Sequence, residues 1–436
     1  MRRGSVDIIT LGCSKNLVDS ERLIAQFRAE GLKVRHDPET ISAETVVINT
    51  CGFIGDAQEE SVNMILECGE LKKAGRIGRL YVMGCLSQKF RDELMAEIPE
   101  VDGWYGKFDW NGILKEMGRK WHGEIGNDRC ITTPPHYAYL KIAEGCNRGC
   151  AYCAIPLMTG HYRSRSPEDI LDEARKLVAK GVKEIQLIAQ DLTYYGTDVA
   201  HKPTIAGLVQ SLSDIPGVEW IRLHYGYPDQ FPMDLLPVMR ERDNVCKYMD
   251  IALQHISDPV LKRMHRNITA QQTRELLARI REEVPGIHLR TTLMTGFPGE
   301  TEEDFGQLME FVREQRFERM GAFAYCEVEG TYSALHYSDD VPDSVKHSRL
   351  STLMRLQQGI SLELNEAKVG KRFRTVIDRL EGGYYVGRTE FDSPEVDPEM
   401  LIDASAATLG IGEFYDVRVT GAEEFDLYGT VENILT

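Results

Sequence analysis

The sequence predicts an α/β protein in three parts: an N-terminal domain built on a parallel sheet, a central partial (βα)6 barrel, and a small C-terminal antiparallel β-barrel. Three observations predict it. Strand-like and helix-like patterns alternate over the first ~125 residues, six more apolar strand segments separated by helices follow, and the chain then changes to short Val-, Tyr- and Phe-rich strands with glycine turns.

In the first part, apolar runs at 6–11, 45–49 and 80–83 read as strands, and the periods at 20–30, 57–74 and 89–98 read as helices. Thr132-Thr133-Pro134-Pro135 breaks this pattern, because two successive prolines favour extended backbone and cannot continue a helix. The first domain is therefore expected to span 1–130. The barrel strands are expected at 138–142, 184–188, 219–223, 248–253, 288–294 and 320–325, within a domain spanning 136–367. Ser166-Pro167-Glu168-Asp169 and Thr301-Glu302-Glu303-Asp304 read as helix starts, each with a hydroxyl cap and early acids. The last domain, 369–436, carries Glu381-Gly382-Gly383 and Thr420-Gly421 as turns.

Composition narrows the function classes. With 42% hydrophobic residues and no apolar run near the ~20 residues that span a bilayer, the chain is expected to be cytoplasmic, with no membrane partner. A net charge of −17 disfavours broad binding of nucleic acid, where Lys and Arg must neutralise phosphates. Ten cysteines in a reducing compartment point to metal or catalysis before disulfides.

Cys146, Cys150 and Cys153 stand in Glu144-Gly145-Cys146-Asn147-Arg148-Gly149-Cys150-Ala151-Tyr152-Cys153, with C-x3-C-x2-C spacing directly after the first barrel strand. A short loop with glycines can curl three thiolates around one cluster and leave one iron open to a small molecule. A structural zinc loop would normally bring a second C-x2-C pair, which is absent. The spacing and the six-fold βα pattern resemble the radical S-adenosylmethionine (SAM) superfamily. That resemblance implies a [4Fe–4S] cluster that binds SAM and cleaves it to a 5′-deoxyadenosyl radical.

Cys13, Cys51 and Cys85 are scattered in sequence, yet each ends a predicted strand of the first domain. Ligands of open parallel sheets bind beyond the carboxyl ends of the strands, so adjacent strands would deliver these thiolates to one place. Gly12, Gly52 and Gly84 beside them permit close backbone approach. A second cluster is expected there. Cys68, Cys130, Cys246 and Cys326 have no such setting and are expected to be core or incidental thiols.

Two cluster sites, a radical SAM core and a terminal β-domain resemble the methylthiotransferases, whose parts are a methylthiotransferase domain, a radical SAM core and a TRAM domain. Leu11-Gly12-Cys13-Ser14-Lys15-Asn16-Leu17-Val18-Asp19-Ser20-Glu21-Arg22, Asn49-Thr50-Cys51-Gly52-Phe53-Ile54 and Leu253-Gln254-His255 are similar to the branch that modifies protein. The tRNA-modifying relatives usually show Gly-Cys-x-Met-Asn and Gln-Ser-Gly there. The resemblance implies two [4Fe–4S] clusters, SAM, an electron donor and a sulfur source. It also implies a methylthio group placed on the β-carbon of an aspartate in the twelfth small-subunit ribosomal protein, with tRNA an unlikely substrate.

Several side chains are candidates to contact SAM. Gly296, Pro298 and Gly299 lie where the fifth barrel strand turns into a helix whose free amides could hold an anion. Gln190 and Asp191 end the second strand, and Arg290 lies on the fifth. From residue 376 onward the chain has three basic and fourteen acidic residues, a net −11, which suits docking of a basic protein. Charge reversal at Glu395, Asp397, Glu423 and Glu424 is expected to weaken that docking.

Overall fold

The computed structural model describes residues 2–434. Five parallel strands form the first sheet: β1 (Arg2–Thr10), β2 (Lys33–His36), β3 (Ala43–Thr50), β4 (Arg79–Gly84) and β5 (Gly103–Trp104), in the order β2-β1-β3-β4-β5. The three predicted strands form its centre. β2 and β5 are edge strands of four and two residues, too short and too polar to give an apolar period. Helices Ser14–Ala29, Gly55–Lys73 and Cys85–Glu97 cover the sheet. The first and third begin earlier than their apolar periods suggest, at residues 14 and 85, the first after Cys13 and the third on Cys85 itself.

The second sheet contains β6 (Tyr137–Lys141), with β7 (Ala143–Glu144) and β8 (Arg163–Ser164) forming a small ribbon beside it. It continues through β9 (Glu184–Ile188), β10 (Trp220–Gly226), β11 (Val245–Gln254), β12 (His288–Thr295) and β13 (Arg319–Ala324). The six strands β6, β9, β10, β11, β12 and β13 pair in parallel and in sequence order, leaving an arc that does not close. Its outward residues, including Ala138, Leu140, Ile185, Leu187, Ile221 and Leu223, form one core with the covering helices. The alternate residues therefore face the lumen.

β14 (Arg372–Glu381), β15 (Tyr384–Thr389), β16 (Met400–Asp403), β17 (Phe414–Ala422) and β18 (Leu427–Ile434) close into a barrel. The pairing is antiparallel except for β16 with β18, which is parallel. This barrel seats on the amino-terminal ends of the central strands. Arg388 bridges Glu184 at 2.7 Å and Asp378 at 2.5 Å, and Arg319 meets Asp392 at 2.5 Å. Trp220 packs edge-on against Phe414 at 4.8 Å. No helix among the described residues is long and apolar enough to cross a membrane.

Candidate active site

The first cysteine triad lies where the carboxyl ends of β1, β3 and β4 meet. Cys13 caps the helix Ser14–Ala29, Cys51 directly follows β3, and Cys85 opens the helix Cys85–Glu97. Two glycines make the meeting possible. Gly84 has φ 105°, and a Cβ there would lie 2.5 Å from the Thr50 carbonyl oxygen; a Cβ on Gly12, at φ 90°, would lie 2.6 Å from Cys51 Cβ. Asn16 ties the ends together by donating to the carbonyls of Leu11 (2.9 Å) and Thr50 (3.1 Å), with its Oδ1 3.8 Å from Cys85 Sγ.

Burial pushes the Cys51 thiol up, and it pushes Cys85 up to about 12. Cys13 behaves differently. Crowding around its sulfur would raise it too, but Lys15, Lys107 and the N–H groups of Asn16 and Lys15 outweigh this and lower it. Thiols held in such a crevice ionise when a metal takes the place of the proton, which suits a cluster's donor set.

The second triad curls after β7. The Arg148 N–H points at Cys146 Sγ at 3.5 Å, the Tyr227 hydroxyl lies 3.7 Å from Cys150 Sγ, and Arg266 Nη1 lies 3.8 Å from the same sulfur. Arg266 also stacks on Tyr227 at 4.1 Å and donates to the Tyr152 hydroxyl at 3.4 Å. Burial pushes Cys146 up to about 11 and also raises Cys153. Among the described residues no group of His, Cys, Asp or Glu side chains is gathered for a metal ion, so the fit of each triad rests on its donor chemistry and surroundings. Beside the second triad, the buried Gln190 Oε1 and Arg266 Nε have no hydrogen-bond partner. Unspent polar atoms of that kind suit a polar ligand.

A buried chain of charges links the two triads. Lys107 donates to Asn16 Oδ1 (3.1 Å) and Asp19 Oδ2 (3.2 Å); Asp19 also pairs with Lys141, Lys141 with Glu144, and Glu144 accepts from Gln190 at 3.0 Å. Glu144 lies two residues before Cys146. Lys141 and Lys107 hold the Glu144 carboxyl down at about 2, against burial, which alone would raise it.

The sequence comparisons agree with this geometry. The radical SAM superfamily matches residues 140–312, an uncharacterized protein family, UPF0004, matches 5–106, and the TRAM domain matches 369–431. "Ribosomal protein uS12 methylthiotransferase RimO" of Parabacteroides distasonis is 63% identical over 433 residues, covering 99% of this chain and 100% of its own. The proteins of that name from Porphyromonas gingivalis and Bacteroides thetaiotaomicron are 63% and 60% identical, over 99% of this chain and 100% and 99% of theirs. The chain belongs to the RimO family. Among solved structures, the radical SAM methyltransferase TsrM of Kitasatospora setae matches with a TM-score of 0.54 at 14% identity, covering 88% of this chain and 81% of its own. The cobalamin-dependent SAM radical enzyme OxsB matches at 0.51 and 13% identity, over 82% and 62%. These two likenesses show the fold alone.

In this RimO-family chain the predicted SAM contacts separate into two groups. Gln190 and Asp191 lie beside the cysteine loop, where Asp191 accepts from Arg148 Nε at 2.6 Å. The other four make contacts within the protein. Arg290, near the start of its strand, reaches the amino-terminal end of the lumen and pairs with Asp250 at 3.4 Å and Asp397 at 3.3 Å. The amides of Gly296 and Gly299 are already bonded to Glu300 (2.8 Å) and Asp340 (2.7 Å), and the Pro298 carbonyl accepts from Arg263 (2.8 Å). That loop is tied to neighbouring segments and presents Phe297 toward Tyr152, with ring centroids 6.3 Å apart.

Cys68 and Cys246 are buried in cores, Cys130 packs against the first domain's core, and Cys326 is exposed. Sequence reasoning missed Asp19, Lys107, Lys141, Arg148 and Arg266. Asp19 and Arg148 sit inside motifs that could have flagged them; Lys107 carries no local signal, because its partners lie 88 and 91 residues away.

Proposed function

We propose that this chain is a radical SAM methylthiotransferase that places a methylthio group on the β-carbon of an aspartate in ribosomal protein uS12, the protein named for its relatives. The observation that carries the reading is the pairing of two cysteine triads, one at the carboxyl ends of each parallel sheet, joined by one buried line of charge. Cys146, Cys150 and Cys153 would hold the SAM-binding [4Fe–4S] cluster, and Cys13, Cys51 and Cys85 a second cluster. When bound, these groups and SAM supply the electron, the radical and the methylthio group. The electron donor and sulfur source are separate partners.

The chain's own residues do the rest. Arg266 places positive charge against Cys150 and the Arg148 N–H points at Cys146, while Gln190, with an unpaired oxygen, and the neighbouring Asp191 would meet SAM beside them. The Lys107–Asp19–Lys141–Glu144 line fixes the spacing of the two loops across the chamber. Domains of 1–130, 136–367 and 369–436 fit this division of labour. The acidic last domain suits a basic protein substrate better than tRNA.

Iron content and product decide the reading. Anaerobically reconstituted protein should hold about eight irons per chain and about four after Cys146, Cys150 and Cys153 are replaced with alanine, since each four-iron cluster has its own ligands. Mass spectrometry should find the methylthio group on uS12 offered to the reduced enzyme. Modified tRNA with untouched uS12 would overturn the reading.

A further inference from the structure

Lys15 stands beside the first triad and, among the described residues, has no carboxylate within ion-pair distance. It lies two residues beyond Cys13, in the first turn of the helix Ser14–Ala29. Its ammonium sits over the ring of Tyr225, 3.3 Å from the centroid. Tyr225 is in β10, whose end leads to Tyr227, and the Tyr227 hydroxyl touches Cys150 Sγ at 3.7 Å. Lys15 therefore reaches from the first triad to the strand that borders the second.

Its neighbours make the contrast. Lys107 and Lys141 are both neutralised by Asp19, whereas Lys15, only 8% exposed, has no carboxylate within ion-pair distance among the described residues. An ammonium on a largely buried side chain, facing only an aromatic ring, lacks most of the stabilisation that a counter-ion gives. Such a cation is matched to an anion that arrives with the substrate. The field of Lys15 also acts on Cys13 on one side and on His224 in the lumen on the other, which places the charge at the boundary between domain and barrel.

We propose that Lys15 is the specificity-determining cation of this site: its ammonium receives the side-chain carboxylate of the target aspartate and so holds the adjacent β-carbon between the two cysteine triads. This rests on the proposed function, and it adds the group that recognises the reacting residue. The carboxylate is one bond from the β-carbon, so pairing at Lys15 fixes the reacting atom to within a side chain's length. An asparagine of the same shape would lose the charge attraction and would be discriminated against.

The test uses the reconstituted full-length protein without reductant, and peptides spanning the uS12 target with Asp or Asn at the modified position. The wild type should bind the Asp peptide about tenfold or more tighter than the Asn peptide, the range of a charge-assisted contact in a dry site. Lys15→Met, similar in length but neutral, should bring the two affinities together at unchanged iron content, and Lys15→Arg should keep part of the preference. An Asp preference that survives Lys15→Met overturns the inference, since a lysine that only joins two domains would leave the Asp-to-Asn ratio alone. Should Lys15→Met lose iron, equal binding of the two peptides by the wild type overturns it instead. A wild type that fails to modify uS12 under reducing conditions defeats the proposed function, a different result from an active enzyme indifferent to Asp or Asn.

Discussion

Single residues at this site act through the space they leave. Gly84 combines a left-handed φ of 105° with a Cβ position 2.5 Å from a backbone oxygen, so any side chain must displace β3 or the start of the helix that carries Cys85. Gly84→Ala should cost roughly 1–3 kcal/mol and, if the proposed cluster sits on this triad, release it. Iron should fall toward the content of the Cys13, Cys51 and Cys85 triple alanine variant; full iron would show that the strand ends tolerate the shift. The sequence pointed to Gly12, Gly52 and Gly84 as sites of close approach to a cluster. The structure shows that the approach is between the strand ends themselves.

At the scale of elements, the helix Ser14–Ala29 matters most, because it follows Cys13 at its N-cap and carries Lys15, Asn16 and Asp19 on its first two turns. Asp19 is 1% exposed and neutralises Lys107 from the first domain and Lys141 from β6. Removing it leaves Lys107 without a carboxylate, held only by Asn16, and Lys141 with Glu144 alone. Asp19→Ala should therefore destabilise the protein by about 3–5 kcal/mol, the cost of breaking a buried pair, and lower the thermal midpoint by several degrees. Replacing Asp19, Lys107 and Lys141 together with apolar residues should recover much of that loss. The helix was legible from its apolar period, but its first six residues were not: they are polar or face the other domain, so they give no helical stripe.

At the scale of the whole molecule, the third domain is anchored under the central barrel by carboxylates. Asp397 is pinned by the Tyr248 hydroxyl at 2.7 Å and by Arg290, which corrects its expected place on a docking surface; it is an anchor. Charge reversal at Glu423 and Glu424, away from that contact, should raise the KM for uS12 several-fold at low salt and little at high salt, because screening removes steering. Asp378 gives a pH test. Burial alone would raise it, but Arg388 and His136 hold its carboxyl at about 2, below its ordinary 3.8. A depressed carboxylate contributes stability that is complete above about pH 4 and lost as pH falls toward 2, at most about 2 kcal/mol here. Acid unfolding of the apoprotein followed by circular dichroism should show that slope, and Asp378→Asn should flatten it.

The sequence by itself determined the three-part architecture and the family, because hydrophobic period and cysteine spacing are local properties of the chain. It also placed the first triad on one face, since parallel strands deliver their carboxyl ends together. Only the tertiary structure decided which charges meet. Asp19 finds Lys107 and Lys141 across 88 and 122 residues, Arg388 finds Glu184 across 204, and Arg290 turns away from the cysteine loop toward Asp397. A charged side chain looks alike in sequence whether it is solvated or buried against a distant partner, and burial is fixed only when the domains pack.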